Sequence, residues 1–389
     1  MKEASFLEKL LDGERVEWKR LSEVTQYEQP TKYLVETKNY SDKFKIPVLT
    51  AGKTFVLGHT DETKGIYEAS KNPVIIFDDF TTANKWVDFD FKAKSSAMKM
   101  ITSIDNSKFL LKYFYYWLNT LPNELIDGDH KRQWISNFCN KEIPIPCPEN
   151  PKRSLEIQAE IVRILDNFTE LTAELTAELT AELTARKKQY AYYREQLLTF
   201  AEGEVEWKSL GEIGENLDSK RKPITSGLRD AGDIPYYGAS GIVDYVKDYI
   251  FDGDFLLVSE DGANLLARST PIAFSVSGKS WVNNHAHVLK FETYAERRYV
   301  EYYLNSIDLT PHISGAAQPK LNQKNLNGIE IPNPSPQEKE HIVAILDKFD
   351  ALTNSITEGL PREIELRQQQ YEYYRDLLLN FPKNEGVTK

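Results

Sequence analysis

An α+β fold, built as two globular α+β domains separated by two long antiparallel coiled-coil helices, is predicted by three observations. The first is that the chain is written twice. IVRILDNFTEL (Ile161–Leu171) returns as IVAILDKFDAL (Ile342–Leu352), and QYAYYREQLLTF (Gln189–Phe200) returns as QYEYYRDLLLNF (Gln370–Phe381), both after a step of 181 residues. The second is that these copies read as helices: from about Leu155 to Leu198 there is no Gly or Pro, and apolar residues recur on one helical face. The third is that the regions before them, roughly 20–150 and 209–334, mix short apolar runs with turn residues, as strands in small sheets do.

In chain order, VEWKRL at Val16 opens the first half and recurs as VEWKSL at Val205. EIPIP at Glu142 closes the variable region and recurs as EIPNP at Glu330. The opening FLEKLLDGERVEW resembles YREQLLTFAEGEVEW, the passage from the first long helix into the second half. The N-terminus thus reads as the tail of a further helix copy, which predicts a circular arrangement about a pseudo-twofold with neighbouring termini. Strands are expected at PVIIFDDF (Pro73–Phe80), DFLLVSED (Asp254–Asp261) and PIAFSV (Pro271–Val276). KFLLKYFYYWLNTL (Lys108–Leu121) and RRYVEYYLNSI (Arg297–Ile307) are expected as equivalent helices, and TAGKTF at Thr50 stands where GASGIV stands at Gly238. The first long helix should measure about 65 Å. The second starts at SPQE (Ser335–Glu338), with Pro in its first turn, and a break or kink is expected at EGLPRE (Glu358–Glu363). The expected partition is 1–153, a helix over 154–200, a second domain over 201–335, and a last helix over 336–389.

Composition bounds the function. Apolar content of 41% and aromatic content of 12% are those of a folded chain. No apolar run approaches the roughly 18 residues of a membrane span, and the charged start MKEASFLEKLLDGE is not a signal peptide. With only Cys139 and Cys147, no disulfide framework is indicated, and a reduced, cytoplasmic chain is expected. The net charge of −11 counts against nucleic-acid binding unless basic residues are local.

Catalytic motifs are missing. No Asn-Pro-Pro-Tyr or Asp-Pro-Pro-Tyr run of adenine methyltransferases occurs. AGKT at Ala51 and SGKS at Ser277 lack the first phosphate-loop glycine, because Pro47 and Ala273 stand there. No Rossmann glycine cluster is present. His285 and His287 alternate like strand neighbours and read as two polar residues on a shared face, with metal ligation as the alternative. The chain is expected to be non-catalytic.

Local basic and amide-rich stretches are candidates for DNA contact, since Asn, Gln, Arg and Lys read base edges while Ser, Thr and Lys hold phosphates. The first region offers Thr81, Thr82, Asn84, Lys85, Lys94, Ser95, His130, Lys131, Arg132 and Gln133. The second offers Lys220, Arg221, Lys222, Lys279, Ser280, Trp281, Asn283, Asn284, Gln318, Lys320, Asn322 and Lys324. GDHKRQW (Gly128–Trp134) is aligned with SGAAQPK at Ser314, and FKAKSS at Phe91 with VSGKSW at Val276. Tyr193, Arg194, Tyr374 and Arg375, in the repeated QYxYYR word, are candidates for binding a partner protein.

Variable region, repeated helix, variable region, repeated helix: this order resembles the specificity subunit of type I restriction–modification enzymes. IVRILD, QYxYYRxxLL and a threefold TAEL (Thr172–Leu183) closely resemble the branch that carries such spacer repeats. The resemblance implies two target recognition domains, each reading one half of a bipartite DNA site. It implies a subunit that is not itself an enzyme and binds no cofactor. Two methyltransferase subunits using S-adenosylmethionine would dock on it, and two restriction subunits using ATP and Mg2+ would complete the assembly. Such partners would also supply phosphate neutralisation that an acidic chain lacks. Glu170, Glu174, Glu178 and Glu182 repel at i, i+4 spacing by a few tenths of a kcal/mol per pair, so this line is expected to face away from DNA.

Overall fold

The repeated words become repeated pairings between strands and helices. The computed structural model describes residues 6–51, 54–122, 132–315 and 318–383. Its chain divides into two compact units, Met1–Ala177 with Glu365–Lys389, and Glu178–Ile364. Among the described residues no helix is long and apolar enough to cross a membrane, and both cysteines are free.

The first unit opens with helix α1 (Phe6–Leu11) and strands β1 (Val16–Arg20), β2 (Thr25–Glu28), β3 (Ile46–Leu49) and β4 (Val56–Thr60). It continues with β5 (Val74–Asp78), β6 (Asn84–Val87), β7 (Lys92–Ala93), β8 (Met98–Ser103), helix α2 (Leu111–Leu118) and β9 (Glu142–Pro146). β1 pairs only with β9, Trp18 opposite Pro144. The prolines of EIPIP lack N–H donors, which suits a two-stranded ladder rather than a sheet interior. The main sheet has the order β2-β8-β5-β6, and β3 sits between β4 and β7 in a second sheet. Every residue of β5 is buried. Ile75 and Phe77 enter one core cluster while Val74 and Ile76 enter another, as a period of two requires of a strand covered on both faces.

Helix α3 (Pro151–Leu198) runs unbroken through the TAEL repeat for 48 residues and passes from the first unit into the second. The second unit then adds β10 (Glu206–Ser209), β11 (Glu215–Asn216), β12 (Ala231–Gly238), β13 (Gly241–Val246), β14 (Phe251–Ser259), β15 (Ala273–Val282) and β16 (Ala286–Lys290). Helix α4 (Tyr294–Ser306), β17 (Glu330–Asn333) and helix α5 (Pro336–Asn354) complete it, and the last helix, α6 (Gly359–Leu379), begins in this unit and belongs to the first from Glu365 on. β10 pairs with β17, Trp207 opposite Pro332, as β1 does with β9. The sheet order is β11-β16-β14-β15-β12-β13. β14 divides its side chains as β5 does, Leu256 and Val258 to one cluster, Phe255 and Leu257 to another.

Each domain helix docks on its long helix through the same bond. Tyr116 donates to Asp166 at 2.5 Å, and Tyr302 to Asp347 at 2.6 Å. The long helices pair antiparallel within each unit. Phe168 meets Tyr374 with ring centres 5.6 Å apart, and Phe349 meets Tyr193 at 5.5 Å. The second long helix breaks between Asn354 and Gly359, at the edge of the expected run. Gly359 has φ +78°, and a Cβ there would lie 2.4 Å from the Ala351 carbonyl, so no other residue fits without a shift. Leu7 and Leu11 of α1 share a core with Leu378, Leu379 and Phe381, bringing the two ends of the described chain together. Leu171 does not continue the apolar stripe, being 51% exposed; Leu175, Leu179 and Leu183 are half-buried. Glu170, Glu174, Glu178 and Glu182 are all exposed, with Arg186 paired to Glu182 at 2.7 Å.

Candidate nucleic-acid interface

In the second unit, three stretches that composition marked are joined beneath their surface. The central strand β14 is followed by Glu260, whose N–H donates to the His285 carbonyl at 2.9 Å and whose carbonyl accepts from Leu321 N–H at 2.8 Å. Lys222 N–H donates to Val282 O at 3.2 Å, and Trp281 Nε1 to Lys222 O at 2.5 Å. A buried charge cluster lies under this junction. His287 Nδ1 is 2.5 Å from Asp218 Oδ2, and its Nε2 is 2.7 Å from the Leu321 carbonyl. Both partners are acceptors, so the ring satisfies both only by donating from both nitrogens. Arg221 reaches Glu260 at 2.5 Å and Asp218 at 3.2 Å, and Lys320 reaches Glu260 at 3.0 Å. Burial alone would raise both carboxyls. His287, the Val288 N–H and Arg221 outweigh it at Asp218, and Arg221 with Lys320 outweighs it at Glu260, so both are held below the usual carboxylate range.

The first unit has the same device in different residues. Sheet register sets Lys99 opposite Phe77 on β5 and His287 opposite Val258 on β14, two residues before Asp79 and Glu260 respectively. Lys99, fully buried, lies 3.3 Å from Asp79 Oδ2 and 5.0 Å from the Tyr27 ring centre. With its amide oxygen turned toward the cations, Gln29 accepts from Lys99 Nζ at 3.1 Å and Arg132 at 2.9 Å. Asp79 also accepts from Gln133 N–H through its carbonyl and from Trp134 N–H through Oδ1. Each unit therefore buries a cation against the carboxylate that follows its central strand.

Asp218, Glu260 and His287 have the spacing of a three-ligand site, but two protein cations already neutralise their charge, and the first unit places lysine where the histidine stands. These residues form one ion network. The expectation of two histidines on one polar face is corrected accordingly. His287 is fully buried, while His285 is half-exposed and pairs with Asp261 at 2.8 Å.

Two sequence alignments also shift. Val282 on β15 pairs with Tyr237 as Ala93 on β7 pairs with Leu49, so FKAK at Phe91 stands opposite SWVN at Ser280, four residues beyond VSGKSW. By the bonds to Asp79 and Glu260, Gln133 stands opposite Leu321, two residues beyond the expected place. Thr50 and Gly238, which open TAGKTF and GASGIV, are opposite by the same register, as expected, while Gly52 and Lys53 lie outside the described residues.

Of the candidate contacts, Thr81, Lys85, Ser95, Arg132, Lys220, Lys222, Lys279, Asn284, Gln318, Lys320 and Lys324 are exposed; Asn84, Lys94, Trp281 and Asn322 are half-buried. Asn84 accepts from Asn119, Asn322 caps the short helix Gln323–Asn327, and Lys279 covers the Tyr249 ring at 4.6 Å. Thr82, Gln133, Ser280 and Asn283 are buried, and Arg221 is spent in the ion network. These five have little side-chain surface open to solvent. His130 and Lys131 lie outside the described residues.

A sequence profile of the type I restriction modification DNA specificity domain matches residues 14–185 and again 202–366. The chain belongs to this family. It is 55% identical to the EcoR124I/EcoR124II type I restriction enzyme specificity subunit of Escherichia coli over the whole of both chains. It is 33% identical to the EcoprrI specificity subunit of the same organism, across 92% of this chain and 93% of that one. The S subunit of a type I system from M. genitalium has the same fold, at TM-score 0.54 and 16% identity over 96% of this chain and 98% of that chain.

In this specificity subunit the candidate partner residues are partly internal. Tyr193 and Tyr374 stack across the helix pair yet remain 40% and 39% exposed, while their neighbours Tyr192 and Tyr373 are 59% and 64% exposed. Arg194 covers Tyr190, and Arg375 pairs with Asp376. Tyr373 lines a groove of about 920 Å³ with Trp18, Trp117 and Leu377. The second unit repeats its aromatic part, with Trp207 against Tyr303 at 6.4 Å. QYxYYR already contained the exposed tyrosines. The ion network carried no repeated word.

Proposed function

We propose that this chain is the DNA-reading subunit of a type I restriction–modification complex, and that each α+β domain reads one half of a bipartite site. One observation carries this reading. The two units share strand register, helix docking and a buried charge under the same junction, yet differ in the polar residues around it, as two readers of different targets should. Exposed lysines and amides on those loops supply phosphate and base contacts. Helices α3, α5 and α6 set the spacing between half-sites and dock two methyltransferase subunits, for which the duplicated aromatic surfaces (Trp18, Trp117, Tyr373 and Trp207, Tyr303, Tyr192) are suited. The chain does no chemistry itself. S-adenosylmethionine serves the methyltransferase subunits, and ATP and Mg2+ serve two restriction subunits.

The test is exchange of residues 209–334 for the equivalent region of a relative. Sites of methylated adenine are then mapped in cells carrying the hybrid. One half of the site should change and the other persist. A site that changed in both halves together would refute independent readers.

A further inference from the structure

Both units carry an apolar feature that the polar loops do not account for. β3 and β4 form a hairpin whose first strand runs parallel to β7, and β12 and β13 form a hairpin whose first strand runs parallel to β15. Each hairpin has a β-bulge at the same register. Val56 pairs with Leu49 and Gly58 with Val48, which leaves Leu57 as the extra residue. Ile242 pairs with Tyr237 and Asp244 with Tyr236, which leaves Val243 extra. A bulge re-aims side chains that alternation would send to opposite faces. Val56 and Leu57 are 39% and 41% exposed, and Ile242 and Val243 are 48% and 56% exposed. A branched apolar pair on an edge strand is a liability that a chain usually blunts with charge, yet both halves keep one here.

These bulges adjoin the stretches assigned to DNA. Lys94 N–H donates to Leu49 O at 2.8 Å, and Asn283 N–H to Tyr237 O at 3.1 Å, at equivalent places. A Cβ on Gly238 would lie 3.1 Å from Val243 Cγ1 and 3.4 Å from Asn283 Nδ2, so Val243 and Asn283 flank one point. In the first unit Tyr40 packs on Gly58, the residue after Leu57, and lies under Lys94 Nζ. The Ser259 hydroxyl holds the second hairpin's turn through the Ala239 carbonyl.

We propose that each bulged hairpin is an apolar base reader, placing Val56 with Leu57, and Ile242 with Val243, against thymine C5-methyl groups in the major groove of its half-site. This rests on the DNA-reading function. A two-stranded ribbon fits that groove, and the thymine methyl is the apolar group among its base edges. Burying one methyl group corresponds to about a four-fold change in affinity.

The test uses the subunit assembled with its methyltransferase partners. Duplexes of the methylated site carry deoxyuridine in place of one thymine at a time, on either strand. For the unaltered complex, one or two replacements in each half-site should slow methylation about four-fold. In a Val56→Ser/Leu57→Ser complex that sensitivity should vanish in the first domain's half-site alone. Ile242→Ser/Val243→Ser should remove it in the other, and the milder Leu57→Ala and Val243→Ala should reduce it. All of these side chains are exposed, so assembly should be unchanged. An unaltered complex indifferent to every replacement would overturn the proposal. Equal sensitivity in the variants would do the same, as would variants that assemble less well while the complexes that do form keep their response to deoxyuridine, which would make the hairpins a protein contact. Failure to methylate any bipartite duplex would instead overturn the DNA-reading assignment itself.

Discussion

Replacing Lys99 by methionine isolates the first unit's buried charge while keeping an unbranched stem of similar bulk. Asp79 has a side-chain exposure of 2% and meets Lys99 at 3.3 Å; its Oδ1 accepts from the Trp134 N–H, at 3.0 Å. At that exposure little solvent is at hand to compensate. Removing one partner of a buried ion pair costs about 3–5 kcal/mol. In a unit of roughly 200 residues, each kcal/mol lowers the midpoint by about 2–4 °C, so a drop of about 6–20 °C is expected. Adding Asp79→Asn removes the stranded charge, keeps an acceptor for Trp134 N–H, and should recover most of the loss. The equivalent His287→Gln leaves Glu260 with Arg221 and Lys320 and should cost less, about 1–3 kcal/mol. Thermal unfolding followed by circular dichroism measures all three, and methylation of each half-site reports whether the junction above Asp79 keeps its shape. A Lys99→Met midpoint within about 2 °C of the unaltered chain would refute the argument. A double variant no more stable than the single one would refute it too.

Three further outcomes follow from other contacts. Burial opposes ionisation of Glu62, but the hydrogen bond from Lys92 and those from the Thr37 and Glu36 backbone and the Thr37 hydroxyl outweigh it, lowering its carboxyl to about 2. A pKa depressed on folding gives stability that is full above the unfolded value of 4.5 and lost as pH falls toward about 2. Glu62→Gln should therefore flatten the urea midpoint between pH 5 and pH 2.5, and an unchanged acid slope would count against the pairing. Tyr192→Ala with Tyr373→Ala should weaken assembly with methyltransferase subunits on a sizing column at unchanged thermal stability, whereas Tyr193→Ala with Tyr374→Ala should lower stability as well; unaffected assembly in both would remove the helix ends from the interface. Deleting Thr176–Leu179 from the unbroken α3 removes about 400° of turn, a net rotation of about 40°, and about 6 Å of length. A base-pair step turns about 34–36°, so the spacer preferred in methylation of duplexes should shorten by about one pair with both half-sites unchanged, and an unmoved optimum would make TAEL a plain helix segment.

The sequence showed most clearly what is used twice in the same way. Phe168 with Tyr374 and Phe349 with Tyr193 make one contact in two copies, and both fall in repeated words. The helix break near Gly359 was visible because only glycine suits its backbone. The buried charge was not visible, because Lys99 and His287 share a place and a sign but not an identity. Their separation is 188 residues, while the helix words recur at 181, so only strand register sets them opposite. The same slippage misaligned FKAKSS and hid the two bulges, since Val56-Leu57 and Ile242-Val243 have branching in common rather than letters. This pattern follows from what each part must do. Helix faces that make the same contact in both units keep their residues. A charge that only holds loops together is free to change chemistry provided it stays cationic. Loops and hairpins that differ between the units in their side chains share backbone geometry alone, so register finds them where residue identity does not.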